Sequence, residues 1–76
     1  MSYHRHAVTI RRLPGGQALG FEDVEFRLTN YAEAETLARV LSRSDGFIGV
    51  VVREVTENGY GPVIWGRGST KDFERA

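Results

Sequence analysis

Residues 47–65 read FIGVVVREVTENGYGPVIW, and this stretch decides the fold. Two runs rich in β-branched residues flank Asn58-Gly59, the two-residue turn that most strongly favours a β-hairpin. A turn at Asn58 and Gly59 predicts a register in which Val52 faces Trp65 and Val55 faces Pro62. Because proline has no N–H to donate, we expect the second strand of this hairpin to lie at an edge of its sheet or to be paired only on one side at Pro62.

An amphipathic helix is predicted immediately before this hairpin. Asn30 and Glu33 have the spacing of a capping box, in which the Asn30 side chain accepts from the Glu33 N–H. Apolar residues then recur at intervals of three and four, as on one face of a helix: Tyr31, Ala34, Leu37, Ala38 and Leu41. Ser44-Asp45-Gly46 ends the helix, with Gly46 suited to a left-handed cap.

A first hairpin is predicted before the helix, from strands over residues 6–13 and 21–28 joined by a glycine-rich loop at residues 14–17. The order β-β-α-β-β predicts an α+β fold, an antiparallel sheet of about four strands with one helix on one face, as a single small domain over residues 1–76. We call the helix-covered side of the sheet the helix face. Its predicted residues are Val8, Ile10, Val24, Phe26, Leu28, Ile48, Val50, Val52, Val63 and Trp65.

Composition narrows the chemistry of this 76-residue chain. It has no cysteine, so disulfides, thiolate metal sites and cysteine nucleophiles are excluded. Ten Lys and Arg balance ten Asp and Glu, so no bulk charge draws it to DNA or a membrane. His4 and His6 could share a metal on a strand, but a solvated N-terminus is the better interpretation. We therefore expect a cytoplasmic binding protein with no enzymatic activity, metal or cofactor.

The sheet side turned away from the helix, which we call the second face, is the predicted contact surface. It is expected to display arginines beside aromatic and aliphatic side chains: Arg11, Arg27, Arg53, Tyr60, Val51, Val55 and Ile64. Such a surface suits a protein partner or a second copy of the chain. It also suits nucleic acid, since bases stack on aromatic rings and arginines contact phosphates. A third reading is that the last strands, or the tail around Phe73, cover this face.

The segment from Val24 to Trp65 resembles small phage-encoded anti-CRISPR proteins, in particular an inhibitor of the type I-F surveillance complex (Cascade). The likeness lies in a strand ending at Thr29, the helix stretch EAETLA at residues 33–38, the stretch GVVVREVTENG at residues 49–59, and Trp65. One family member carries basic residues on its helix where Glu35 and Thr36 stand here, so the resemblance implies a mode of action and not a set of contacts.

That resemblance implies a non-catalytic phage inhibitor that binds a CRISPR effector subunit in the host cytoplasm and blocks target DNA recognition. The partner-binding residues expected from the sequence are Arg11, Arg27, Arg53, Tyr60 and Ile64. Alanine at Arg53 or Tyr60 would then weaken binding without lowering the melting temperature. The alternatives are a small nucleic-acid-binding module and a homodimer formed through the second faces or the edge strands.

Overall fold

A computed structural model describes residues 5–13 and 20–71 of the chain. The elements are β1 (His6–Arg12), β2 (Glu22–Leu28), α1 (Tyr31–Leu41), β3 (Phe47–Thr56) and β4 (Gly59–Gly68). The strands form one antiparallel sheet in the order β2-β1-β3-β4, and α1 packs on one face of it. The predicted α+β fold, its element order and the edge position of β4 are confirmed.

The hydrophobic core lies between α1 and the two central strands, β1 and β3. Its buried residues are Val8, Ile10, Ala34, Ala38, Val50 and Val52. The two alanines on α1 let the helix backbone approach the valine-rich strands closely, which suits a small domain with a thin core. Half-buried side chains surround this centre, among them Val24, Leu28, Leu37 and Trp65. Most of the predicted helix face therefore lies where the sequence pattern placed it.

The helix begins as predicted and ends earlier than predicted. The Asn30 side chain accepts from the Glu33 N–H at 2.8 Å, which satisfies one of the exposed amides of the first turn. The helix ends at Leu41 with Ser42 as its C-cap, so Gly46 is not the cap residue. Gly46 instead takes φ +76° in the turn before β3, where its carbonyl accepts from the Leu13 N–H at 2.8 Å.

A register shift changes which residue at the start of β3 reaches the core. Arg11 pairs with Gly49 but Arg12 pairs with Phe47, so Ile48 is passed over between them. Alternation along β3 predicts Phe47 on the second face, and this prediction is wrong because Phe47 packs against the core. Ile48, predicted on the helix face, is the bulge residue with no partner residue in the β1 register. A bulge adds one residue to a strand and reverses the side-chain alternation beyond it, which sequence alternation alone does not reveal.

The hairpin of β3 and β4 contains two further register shifts. Its turn lies at Glu57 and Asn58, because Thr56 pairs with Gly59 and Val55 with Tyr60. The predicted pairing of Val55 with Pro62 is therefore wrong. The shifts restore the predicted pair Val52–Trp65 farther along the hairpin.

The same shifts change the faces assigned to two residues of β4. Val63 pairs with Arg53, so it belongs to the second face rather than to the helix face. Ile64 is the extra residue between this pair and Val52–Trp65. Within the described residues, no helix has the length and apolar character needed to cross a membrane.

Candidate binding surface on the second face

The structure brings four of the five predicted contact residues together on the second face. Arg11 and Arg27 lie on neighbouring strands, opposite Asp23 and Ala7 respectively. Arg53 pairs with Ala7 from the other side, which places its side chain on the same face. Tyr60 pairs with Val55, two residues along β3 from Arg53. Three basic side chains and an aromatic ring therefore share one surface, as the alternation of the strands predicted.

Tyr60 reaches across the sheet to the opposite edge strand. It belongs to β4, and β3 and β1 lie between that strand and β2. Its hydroxyl nevertheless donates to Glu25 Oε1 on β2, and Arg27 Nη2 lies 3.5 Å from the same hydroxyl. The register shifts near Arg53 supply the physical reason, because bulges bend a strand and increase its twist. The end of the second hairpin thus folds over the second face.

Arg53 lies beneath the Tyr60 ring. Its guanidinium carbon is 3.8 Å from the ring centroid, and its Nη2 donates to Thr9 Oγ1 at 3.0 Å. Only 6% of Arg53 is exposed, and Val51 on the same face is fully buried. The expectation that Arg53 and Val51 are displayed to a partner is therefore wrong. Arg53 supports the Tyr60 ring from inside, so its replacement is expected to cost stability as well as any binding.

Glu25 joins the members of this cluster. It accepts from the Tyr60 hydroxyl, from Arg27 Nε at 2.7 Å and from Thr9 Oγ1 at 3.3 Å. Burial raises the pKa of Glu25, but the hydrogen bonds from Tyr60 and Arg27 outweigh it, so its pKa is below the ordinary value. A continuous polar network runs from Arg53 through Thr9 and Glu25 to Tyr60 and Arg27. We call these five residues the tyrosine cluster.

Arg11 and Asp23 form a separate ion pair beside the tyrosine cluster. Arg11 Nε lies 2.8 Å from Asp23 Oδ1 and its Nη2 lies 3.0 Å from Oδ2, the two-pronged geometry that favours arginine over lysine. The hydrogen bonds from Arg11 hold the pKa of Asp23 below its ordinary value. The Arg11 guanidinium also stacks 4.2 Å from the ring centroid of Phe21, which is 56% exposed.

The chain end also approaches the second face. Gly66 pairs with Val51, and a Cβ on Gly66 would lie 3.1 Å from the Thr70 methyl group. Thr70 therefore packs on this face beside the buried Val51. The predicted covering by the tail around Phe73 lies outside the described residues. Covering by the last strand is observed, since Tyr60 of β4 overlies Arg53.

The side chains that are accessible on and beside the second face are aromatic, basic and aliphatic. Tyr60 is 41% exposed and Arg27 is exposed. Ile64, the apolar member of the predicted contact residues, is 44% exposed as the bulge residue of β4. A planar aromatic ring with two guanidinium groups near it is a composition found at centres of protein–protein contacts. The surface is thus smaller than predicted, and Tyr60 is its exposed centre.

A second arginine–aromatic group lies on the helix side of the molecule and was not predicted. The guanidinium carbons of Arg39 and Arg67 each lie 5.3 Å from the Trp65 ring centroid. Arg67 Nη1 donates to Ser42 Oγ at 3.1 Å, and Arg39 Nε bonds Glu35 Oε2 at 3.3 Å. Only the Glu35–Arg39 spacing was visible in the sequence, because the other contacts join side chains of β4 to residues of α1 and its C-cap that are distant in sequence.

The serine hydroxyls near the helix end have structural partners. Ser42 Oγ donates to the Arg39 carbonyl at 2.7 Å, and Ser44 Oγ donates to the Leu41 carbonyl at 2.6 Å. Both satisfy carbonyl groups that the last turn of a helix leaves without amide partners. His4 lies outside the described residues. Within residues 5–13 and 20–71, no three histidine or carboxylate side chains are grouped as a metal site would require.

The function of this chain is inferred from the contacts described above and not from a known relative. The sequence matches no protein-family model, and no similar protein was found among curated proteins or solved structures.

Proposed function

We propose that this protein is a non-catalytic protein-binding domain whose contact surface is centred on Tyr60 and Arg27. Its proposed mode of action is inhibition by occupancy. The resemblance of residues 24–65 to anti-CRISPR proteins makes a type I-F effector complex the first partner to test, with target DNA recognition as the step that is blocked.

The observation that carries the proposal is the pairing of the surface arginines with carboxylates of the same chain. Arg11 is held by Asp23 and Arg27 by Glu25, at N–O distances of 2.7–3.0 Å. A phosphate backbone would have to compete with those carboxylates, so the charge that drives nucleic-acid binding is largely compensated. A protein partner needs no such excess charge, since a fixed aromatic ring and oriented guanidinium groups supply the contact.

The tyrosine cluster also reduces the entropy cost of binding. The Tyr60 ring is fixed by Arg53 beneath it and by Glu25 at its hydroxyl, so little side-chain freedom remains to be lost in a complex. Its 41% exposed area is therefore presented in one orientation. This arrangement supports binding by a preformed surface over binding by a loop that orders on contact.

The test is a titration of purified type I-F effector complex with wild-type protein and three variants. Tyr60→Ala and Arg27→Ala remove accessible parts of the surface, and each is expected to weaken binding by at least about tenfold. Arg43→Ala is the matched control, because Arg43 is an exposed arginine beyond the end of α1. It should bind like wild type. Absence of binding at about 10 μM, or equal losses for Arg27→Ala and Arg43→Ala, would contradict the proposal.

A parallel titration with short DNA and RNA separates the nucleic-acid alternative. Protein binding through a charge-compensated surface predicts no appreciable affinity for either nucleic acid at about 150 mM salt. Tight binding that weakens steeply between about 50 and 200 mM salt, and that is lost in Arg27→Ala, would instead identify a nucleic-acid-binding module.

A further inference from the structure

The two edge strands of the sheet are very different. β4 carries Pro62 and two register shifts, which are devices that keep an edge from pairing with another chain. β2 has neither glycine nor proline, and its seven residues pair with β1 without a shift. Its other side faces no strand among the described residues, so a row of backbone N–H and C=O groups is available there.

The sequence of β2 is complementary to itself about Phe26. In an antiparallel pair of two β2 strands with Phe26 on the two-fold axis, Glu25 of one copy faces Arg27 of the other, and this occurs twice. Val24 likewise faces Leu28 twice, and Phe26 faces its own copy. Opposite charges therefore meet on the second face and apolar side chains meet on the helix face, both of which favour pairing.

Neighbouring registers lack this complementarity. With Glu25 on the axis, its carboxylate faces its own copy, and with Arg27 on the axis two guanidinium groups meet. With Val24 on the axis, Asp23 faces Glu25. Directly opposed like charges destabilise a strand pair, so one register is selected over the others.

The helix face also leaves room at this edge. Phe26 is 39% exposed, and α1 packs mainly on β1 and β3. With strands about 4.8 Å apart, two copies joined through β2 would hold their helix axes about 19 Å apart. Helices about 10 Å wide then leave a gap of about 9 Å, wide enough for the two Phe26 rings to pack between them.

We propose that two copies of this chain associate through β2, in an antiparallel pair with Phe26 on the two-fold axis. The product is a continuous sheet of eight strands with one helix of each copy on the same side. This inference rests on the edge strand and not on the proposed function. Glu25 and Arg27 belong both to this register and to the tyrosine cluster, whereas Phe26 lies on the helix face outside the cluster, so variants of Phe26 test the association separately.

Sedimentation of the pure protein tests the association directly. A mass of twice 8.5 kDa is expected at high concentration. Phe26→Arg should give a monomer, since it places two guanidinium groups on the axis, whereas Ile64→Arg on the other edge should remain a dimer. A monomer at all concentrations up to about 1 mM, or a dimer lost only in Ile64→Arg, would overturn the proposal.

Charge reversal tests the register. Glu25→Arg alone and Arg27→Glu alone each place like charges opposite one another twice, and each should weaken association by at least about tenfold. The double variant restores opposite charges across the axis and should recover the dimer. Failure of the double variant to recover it, while circular dichroism shows a folded chain, would contradict this register.

Cysteine cross-linking gives an independent test that does not require a stable dimer. Because the chain has no cysteine of its own, Phe26→Cys introduces a single thiol at the axis. Opposed residues of an antiparallel pair hold their Cβ atoms about 4.5–5.5 Å apart, close to disulfide geometry. Under mild oxidation Phe26→Cys should form covalent dimers at least about tenfold faster than the control Ile64→Cys, whose position is similarly exposed. Equal rates would overturn the proposal.

Discussion

The two faces of the sheet are stabilised by different physics. On the helix face, the buried residues are all apolar and need no hydrogen-bond partners: Val8, Ile10, Val50 and Val52 pack against Ala34 and Ala38. On the second face, the buried centre contains Thr9 and Arg53, and directional contacts to Tyr60 and Glu25 hold it together. The helix face should therefore tolerate changes that conserve volume, while the second face should be sensitive to chemistry even where volume is unchanged.

The largest effect is expected on the helix face. Ile10 is 2% exposed, and Ile10→Ala removes three buried carbon atoms from the centre of the core. It should lower the free energy of unfolding by about 2–5 kcal/mol, enough to unfold a domain of this size. Ile10→Val should cost about 0.5–1.5 kcal/mol and leave a measurable two-state transition in urea. A loss below about 0.5 kcal/mol for Ile10→Ala would contradict this core assignment.

A smaller loss of stability is expected from a substitution on the second face. Arg53→Met keeps an unbranched stem about as long as that of arginine but removes the guanidinium beneath the Tyr60 ring and its hydrogen bond to Thr9. We expect a loss of about 1–3 kcal/mol in urea unfolding. The control is Arg12→Met, which breaks an exposed pair with Glu22 and should change stability by less than about 0.5 kcal/mol. Equal effects of the two substitutions would show that the second face is an ordinary solvated surface.

The smallest effect is the part of the pH dependence of stability that the second face should contribute. The pKa values of Asp23 and Glu25 are lowered in the folded protein. Such carboxyls stabilise the fold above their unfolded pKa of about 4, and that contribution is lost as the pH falls through the folded pKa. Stability should thus decline between about pH 5 and 2, and less steeply in Asp23→Asn/Glu25→Gln. Ile10→Val should keep the wild-type slope, and an unchanged slope in the double variant would contradict the assignment.

Much of the fold was accessible from the sequence because it depends on local signals. The Asn30 cap, the apolar spacing of α1 and the alternation in β1 and β2 predicted the elements and most of the core. The bulges were not accessible, since no local signal in β3 or β4 shows where pairing slips by one residue. Because of these register shifts, Phe47 packs against the core and Val63 lies on the second face.

The sequence predicted which residues share the face of the candidate site, but not how they contact one another. Alternation placed Arg11, Arg27, Arg53 and Tyr60 on one face, and the structure has them there. The reach of Tyr60 across two strands to Glu25 depends on the bend of the second hairpin, a tertiary feature. For that reason the burial of Arg53 could not be predicted, although the acidic residues of β2 were evident from the sequence.

The measurement that tests this account most directly is the nuclear Overhauser effect between the Tyr60 ring and the Arg53 side chain in solution. A guanidinium carbon 3.8 Å from the ring centroid predicts strong effects from the ring protons to the Arg53 δ protons, which should also be shifted upfield. Tyr60→Ala should abolish the upfield shift. A freely averaged Tyr60 ring with no effect to Arg53 would show that the second hairpin does not fold over the second face, and would contradict the account.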